Sequence, residues 1–305
     1  MKISHLLRLY EKGYRDFSGV DLRGADLSRI TLIAVNLSGA NLMGANLSRA
    51  FLTKSNLQGA MLNWADLSFA KISEGNLAEA DLTKANLSGA FMVKSQLFRA
   101  KLCGANLSHT NLRGANLKAA NLCGANLKSI NLREAYLNRV NFNWANLTQA
   151  RLSKAELEGA SFNGTNLSKT FLKQVDLSGA NLEGVNLFRA RLSGSFLRGT
   201  NLIAANLQQA GLRWVDLRGA DLTGANLSKA VLEEANLNGA ILNRTNLHQT
   251  NLDRAIISDK INYQAIESKA NRLSASNSSI ASSFSHYSLA AIDVNNTTRE
   301  ILQNF

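Results

Sequence analysis

Residues 21–50 read DLRGADLSRITLIAVNLSGANLMGANLSRA, and a large apolar side chain recurs every fifth residue, at Leu22, Leu27, Leu32, Leu37, Leu42 and Leu47. The register extends outward to Phe17 on one side and Ile257 on the other, giving 49 centres without an insertion or deletion. Of these, 43 are Leu; the others are Phe17, Ile72, Met92, Phe142, Phe162 and Ile257. An α-helix advances roughly 100° per residue, so a step of five rotates the apolar side chain by about 140° and spreads it around every side. A straight strand alternates its side chains, so an odd step sends successive Leu to opposite faces. Neither regular element buries this pattern, and each pentapeptide must contain a corner.

The residue two before each centre is small, as in Ala25, Ala40, Ala45 and Ala50, with Ser, Thr, Val, Ile and Gly75 as variants and Arg15 as the one exception. Residues two apart on an extended segment share a face, so the small residue and the Leu are expected to point inward together. The residue between them points out, and it is Asn or Asp in 31 of the 49 units. Of the 21 Gly, 18 occupy the last position of a unit, where Gly relieves crowding or permits a positive φ at the corner. Pro is absent, as suits a chain whose backbone N–H groups all serve ladders.

Sorting the outward residue on a period of 20 gives the number of corners per turn. The register Asp26, Asn46, Asp66 through Asn246 is Asn or Asp in all 12 cases, whereas the register Thr31, Phe51, Lys71 through Asn251 is Asn in only three. The remaining two registers have eight each. Four registers with different chemistry imply four faces and a 20-residue coil. About twelve such coils, at roughly 4.8 Å between paired strands, make a rod near 60 Å long. One coil exposes its Leu above and below, so only stacking covers them.

The units ADLSR at 25–29 and ANLSG at 85–89 follow an A(D/N)LXX pattern, and over about four fifths of its length the chain resembles the pentapeptide-repeat proteins. Its opening, from Leu6 to Leu27 with YEKGYRDFS at 10–18, is similar to the start of cyanobacterial members. The resemblance implies an all-β solenoid, a right-handed quadrilateral β-helix. The chain accordingly divides into residues 1–14, a short capping helix; 15–257, the repeat rod; and 258–305, a C-terminal cap with a helical or disordered tail. Ile3, Leu6, Leu7 and Tyr10 recur at helical spacing before Gly13, and such a helix would cover an otherwise open strand edge. Lys260 to Leu273 is a candidate second cap, Ser274 to Ser285 a Ser-rich linker, and Tyr287 to Phe305 a segment expected to stay disordered or fold on a partner.

Composition and spacing point away from catalysis. The four His lie at His5, His109, His248 and His286, far apart along the chain, and no nucleophile is placed with a base. Metal-ligand spacing is missing, and the Gly residues sit at corners instead of forming a phosphate-binding loop before a helix. The expectation is no catalytic site, no metal and no cofactor. Period five also excludes a hexapeptide-repeat acyltransferase, and the regular Thr residues, such as Thr110, Thr165 and Thr200, fall on the inward position, unlike the outward ladders of an ice-binding solenoid. Cys103 and Cys123 stand one coil apart in one register and are expected to stack as a product of repeat symmetry. With no run long enough for a membrane helix and no apolar signal segment after Met1, a cytoplasmic protein that makes no membrane contact is expected, as a monomer or an end-to-end dimer.

The outer surface therefore carries the function, and the variable face is the candidate. Phe51, Lys71, Phe91, Arg113, Arg133, Arg151, Phe171, Arg191 and Trp214 combine exposed aromatics with Arg and Lys, the composition of protein interfaces. Trp64, Phe69 and Trp144 form a sparser second set at corners. Three functions fit a rod of this kind. The first is a non-enzymatic regulatory scaffold that binds a protein partner, typified among cyanobacterial members by a regulator of heterocyst differentiation. The second is a modulator of DNA gyrase of the quinolone-resistance type, whose members resemble duplex DNA in shape and negative charge. From Phe17 to Ile257 this chain has 26 basic and 16 acidic residues, a net +10, which disfavours such mimicry. The third is direct binding of nucleic acid or another polyanion, disfavoured because Glu74, Glu134 and Glu234 are interspersed among the cations.

Overall fold

The computed structural model describes residues 1–257. The three C-terminal segments named above, from Lys260 onward, lie outside the described residues.

Each pentapeptide is a short extended step followed by a tight turn. In the unit around Leu22, the Leu22 carbonyl accepts a hydrogen bond from the Ala25 N–H at 3.1 Å, closing a β-turn over Arg23 and Gly24. The second turn residue has a positive φ at every one of the 48 corners from Gly19 to Arg254, 18 of them Gly and 30 of them other residues. This is the requirement of a type II turn. Gly therefore eases the corner without being needed at most of them. Outward Asn and Asp help to make the corner. Asp21 Oδ1 accepts the Arg23 N–H at 3.2 Å, and Asn126 Oδ1 accepts that of Lys128 at 3.3 Å. Such local side-chain acceptors stabilise turns, which is why these residue types dominate the position.

Coils stack in parallel, residue by residue, at a separation of 20. Asp26 pairs with Asn46, Asn46 with Asp66, and so on along each face. The rungs carry regular hydrogen bonds: Leu22 N–H to the Asn41 carbonyl at 2.8 Å, Asn41 N–H to the Val20 carbonyl at 2.9 Å, and Gly24 N–H to the Met43 carbonyl at 2.9 Å. On the all-Asn/Asp face the side chains add a second ladder, with Asn126 Nδ2 donating to Asn106 Oδ1 at 3.0 Å and Asn46 Nδ2 to Asp26 Oδ1 at 3.0 Å.

The Leu columns and the small residues form one buried core, with Leu42, Ala45, Leu127 and Ile130 among its fully enclosed members. Inward hydroxyls are satisfied within it. Thr110 Oγ1 donates to the Leu87 carbonyl at 2.7 Å, and Ser55 Oγ to the Leu32 carbonyl at 2.8 Å. Gly75, the Gly variant at the inward position, stands where an added Cβ would meet Ile72 Cγ2 at 2.7 Å and the Ile72 carbonyl oxygen at 2.9 Å. The β-branched Ile72 occupies the space that Ala fills beside Leu.

Helix α1 spans Ile3–Glu11, and its Leu6 is buried in the same core cluster. Tyr10 Oη accepts the Ile33 N–H at 3.1 Å, satisfying a group on the edge of the first coil. Arg15, the exception to the small-residue rule, does not point inward. It is exposed, with its guanidinium 4.0 Å from the Tyr10 ring centre and donating to the Tyr10 carbonyl at 2.7 Å, which ties the helix to the rod.

The ladder opens once among the described residues. The rungs Glu156 to Asp176 and Ser161 to Asn181 are missing, while the flanking rungs Arg151 to Phe171 and Asn166 to Asn186 are intact. A cleft of about 760 Å³ lies between these coils, lined by Leu157, Ala160, Leu177 and Ala180. Directly beneath it the Phe142 and Phe162 rings stack inside the rod, 5.6 Å apart at the centroids and 17° from parallel. These two successive Phe stand in a column otherwise built of Leu, and the rungs are missing on two faces of the coil that follows Phe162.

Candidate binding face

Six of the nine candidate residues share one column. Phe51, Lys71 and Phe91 follow each other on consecutive rungs, and Arg151, Phe171 and Arg191 do the same further along. Each triplet contains one contact between a cation and a ring. Lys71 Nζ stands 4.5 Å above the Phe51 ring, and the Arg191 guanidinium 4.8 Å above that of Phe171. Such contacts at partly exposed sites contribute about 0.5–1 kcal/mol and hold the long side chains in place. Phe91 is 48% exposed.

The two triplets do not merge. Asn111 and Asn131 lie between them, joined by an Asn131 Nδ2 to Asn111 Oδ1 hydrogen bond of 3.0 Å, and separate Phe91 from Arg151 by three rungs, or about 14 Å. Arg113, Arg133 and Trp214 stand at the following corner. Arg113 is engaged by Glu134 through bonds of 3.0 and 3.2 Å, so its charge is offset locally, whereas Arg133 is exposed. Trp214 is a corner residue with φ 56 and is 57% exposed. The candidate face is thus two clusters with a decorated edge.

Other faces carry apolar groups that sequence reasoning passed over. Tyr136, Phe196, Met61 and Ile241 are exposed on the two mixed registers. Tyr136 and Phe196 have cations over their rings, Lys118 at 5.2 Å and Arg198 at 5.8 Å. Lys118 stands 18 residues before Tyr136, nearly one coil away, and Arg198 two residues after Phe196; these spacings were the available signals. Beside Phe196, Asp216 accepts hydrogen bonds from Arg218 at 2.9 Å and from Arg198, which together hold its carboxyl down to about 2 against the opposing effect of burial. Trp144 is less available than its exposure suggests. Its ring lies across Gly164 in the next coil, where an added Cβ would come within 2.2 Å of it.

Cys103 and Cys123 are both free thiols; burial first, then the neighbouring Cys123, pushes the Cys103 thiol above its ordinary value. Among the described residues no cluster of three or more His, Cys, Asp or Glu could hold a metal ion, and no helix is long and apolar enough to cross a membrane.

The family model for pentapeptide repeats matches the chain in overlapping stretches from residues 16–49 to residues 220–259. Among solved structures, the chain is similar to HetL, a pentapeptide repeat protein involved in heterocyst differentiation regulation from the cyanobacterium Nostoc sp. strain PCC 7120. The identity is 35% over 85% of this chain and 98% of that one, with a TM-score of 0.32. It is also similar to Rfr23, a pentapeptide repeat protein of the cyanobacterium Cyanothece, at 28% identity over 46% of this chain and 89% of that one, TM-score 0.26. QnrB1, a plasmid-mediated fluoroquinolone resistance protein, is 16% identical over 85% of this chain and 99% of that one, TM-score 0.31. No curated protein gives a match. The unbroken five-residue register, its stacking at 20 residues and the family match across the rod lead to one conclusion: the chain belongs to the pentapeptide-repeat family.

Proposed function

We propose that this protein is a non-enzymatic, cytoplasmic scaffold that binds a protein partner through an outer face of the rod, in a regulatory role of the kind for which HetL is named. In this reading residues 15–257 form a right-handed, four-sided coil of about twelve turns. Residues 1–14 and 258–305 flank it as end segments, and the rod is a monomer or an end-to-end dimer. The observation that supports it most is the exposed cation–aromatic column, with Phe51, Lys71 and Phe91 in one cluster and Arg151, Phe171 and Arg191 in the other. Rigidly presented aromatic and Arg side chains are what protein interfaces enrich, and a stiff rod spares the ordering cost of binding. The net +10 of residues 17–257 argues against imitation of an anionic polymer.

The test is capture of partners from the native cell by three tagged forms: the full chain, a Phe51→Ala/Phe91→Ala/Phe171→Ala variant, and a chain ending at Ile257. The proposal expects the triple variant to lose a partner that the shortened chain keeps. Partners retained by the triple variant, or lost only on shortening, would contradict it.

A further inference from the structure

Acidic residues are excluded from one edge of the rod. Three outward registers build this edge, residues 28, 29 and 31 and their equivalents every 20 residues to 248, 249 and 251, and in none of the twelve coils do they contain Asp or Glu. The same positions hold nine basic residues: Arg29, Arg49, Lys71, Lys128, Arg151, Lys169, Arg189, Arg191 and Lys229. All 17 acidic residues between Asp16 and Asp253 lie in the other registers. Exposed cations repel each other unless an anion joins them, so a long edge cleared of acids while acids are common elsewhere is a feature with a cost.

The cations converge at one place. A groove of about 800 Å³ runs along this edge, and its lining includes Asn131, Arg151, Lys169, Phe171, Arg189 and Arg191. None of these four cations is paired with a carboxylate among the described residues, whose ion pairs involve other side chains. Two of them are nevertheless held in place. Arg191 lies over Phe171, and Arg189 lies 5.0 Å over Phe188 with its Nε donating to Gln209 Oε1 at 2.5 Å. Fixed guanidinium groups beside a half-buried ring are preorganised for planar carboxylates flanking an apolar side chain.

We infer that this groove binds an extended acidic segment of a partner protein, in which Asp or Glu alternates with an apolar residue that rests on Phe171. The spacing favours a peptide over a nucleic acid. Arg151 and Arg191 are two rungs apart, about 10 Å, a span covered by three or four extended residues. Beyond the groove the edge thins to single cations, with none between Lys71 and Lys128 or between Arg191 and Lys229, whereas a duplex presents a phosphate charge about every 1.7 Å. The inference rests on the protein-binding reading above and names the partner's chemistry.

The test uses the full chain and a fluorescently labelled peptide of alternating Glu and Phe, read by anisotropy at about 0.15 M salt, with single-stranded and duplex DNA as competing probes. Arg151→Glu/Arg191→Glu should weaken the peptide at least about tenfold, while Arg29→Glu/Arg49→Glu, on the same edge outside the groove, should change it less than about twofold. Both variants alter exposed side chains, and unchanged thermal melts exclude misfolding as the cause. No peptide binding, an equal loss in both variants, or tighter binding of either DNA probe through Arg151 and Arg191 would overturn the inference. The outcome is separable from the partner-capture experiment. If Phe51, Phe91 and Phe171 prove necessary for capture while the full chain ignores the peptide, or the groove variant binds it as well as the full chain does, only the acidic-segment assignment falls.

Discussion

Gly75 occupies an inward position that Ala fills in most units, and the reason is Ile72. The Ile72 Cγ2 methyl reaches within 2.7 Å of where a Cβ on residue 75 would stand, and the carbonyl behind it cannot move without breaking the turn. Gly75→Ala should therefore destabilise the rod by about 1–3 kcal/mol, as overpacking does, and adding Ile72→Leu should recover most of the loss. Denaturant melts of the two single variants and the double variant measure the coupling; additive losses would refute the compensation. Gly75, as a variant within the small-residue rule, and Arg15, as its exception, were both legible in the sequence. Their causes were not, because one depends on the direction of a methyl branch and the other on a cation turning back over the Tyr10 ring. Asp216 gives a second prediction at this scale. Its folded value of about 2 lies below the ordinary carboxylate value, so its bonds to Arg198 and Arg218 stabilise the rod above about pH 4. That contribution is lost as pH falls from 4 through 2. The shift corresponds to at most about 2 kcal/mol, reduced toward 1 because both guanidinium groups are half exposed. Asp216→Asn should lower the melting temperature at neutral pH and leave it nearly unchanged near pH 2; an equal drop at both would show that the charge is irrelevant.

At the scale of the pentapeptide and the coil, the period and its stacking were readable, since only a cornered chain places every fifth residue inside. What the period could not reveal is that all 48 corners from Gly19 to Arg254 adopt positive φ. Thirty of these corners are occupied by residues for which that conformation costs about 1 kcal/mol or more, so stacking must over-determine the turn. Asn and Asp were recognised as outward, but their work as turn acceptors and as a side-chain ladder depends on distances that letters do not carry. Nor did the pattern predict the opening above Phe162, although both Phe were visible as substitutions in the Leu register. Phe162→Leu should let the rungs Glu156 to Asp176 and Ser161 to Asn181 close. Amide hydrogen exchange at Leu157, Asp176 and Asn181 should slow toward that of Asn166 and Asn186, with the melting temperature unchanged or raised. Unchanged exchange, or the loss of several kcal/mol typical of a core cavity, would show that the Phe pair is not the cause.

For the whole molecule, the solenoid leaves function to its exterior, and the distribution of charge there distinguishes one edge from the rest. Composition alone showed a basic protein. Only the 20-residue sorting, given depth by the groove between Asn131 and Arg191, separates an acid-free edge from faces where Arg113, Arg213 and Arg218 are matched by Glu134, Glu233 and Asp216. The candidate face was legible as a list of residues, but its division into two clusters was not, because Asn111 and Asn131 look like ordinary repeat positions until their mutual hydrogen bond and the rungs around them are seen. Everything assigned to the surface depends on the Leu columns lying inside. The adjacent pair Leu127, fully buried, and Lys128, exposed, tests this directly. Thermal melts of Leu127→Asp and Lys128→Asp should differ widely, the first losing more than about 4 kcal/mol or failing to fold and the second staying within about 0.5 kcal/mol of the parent. Equal melting temperatures for the two variants would contradict the account.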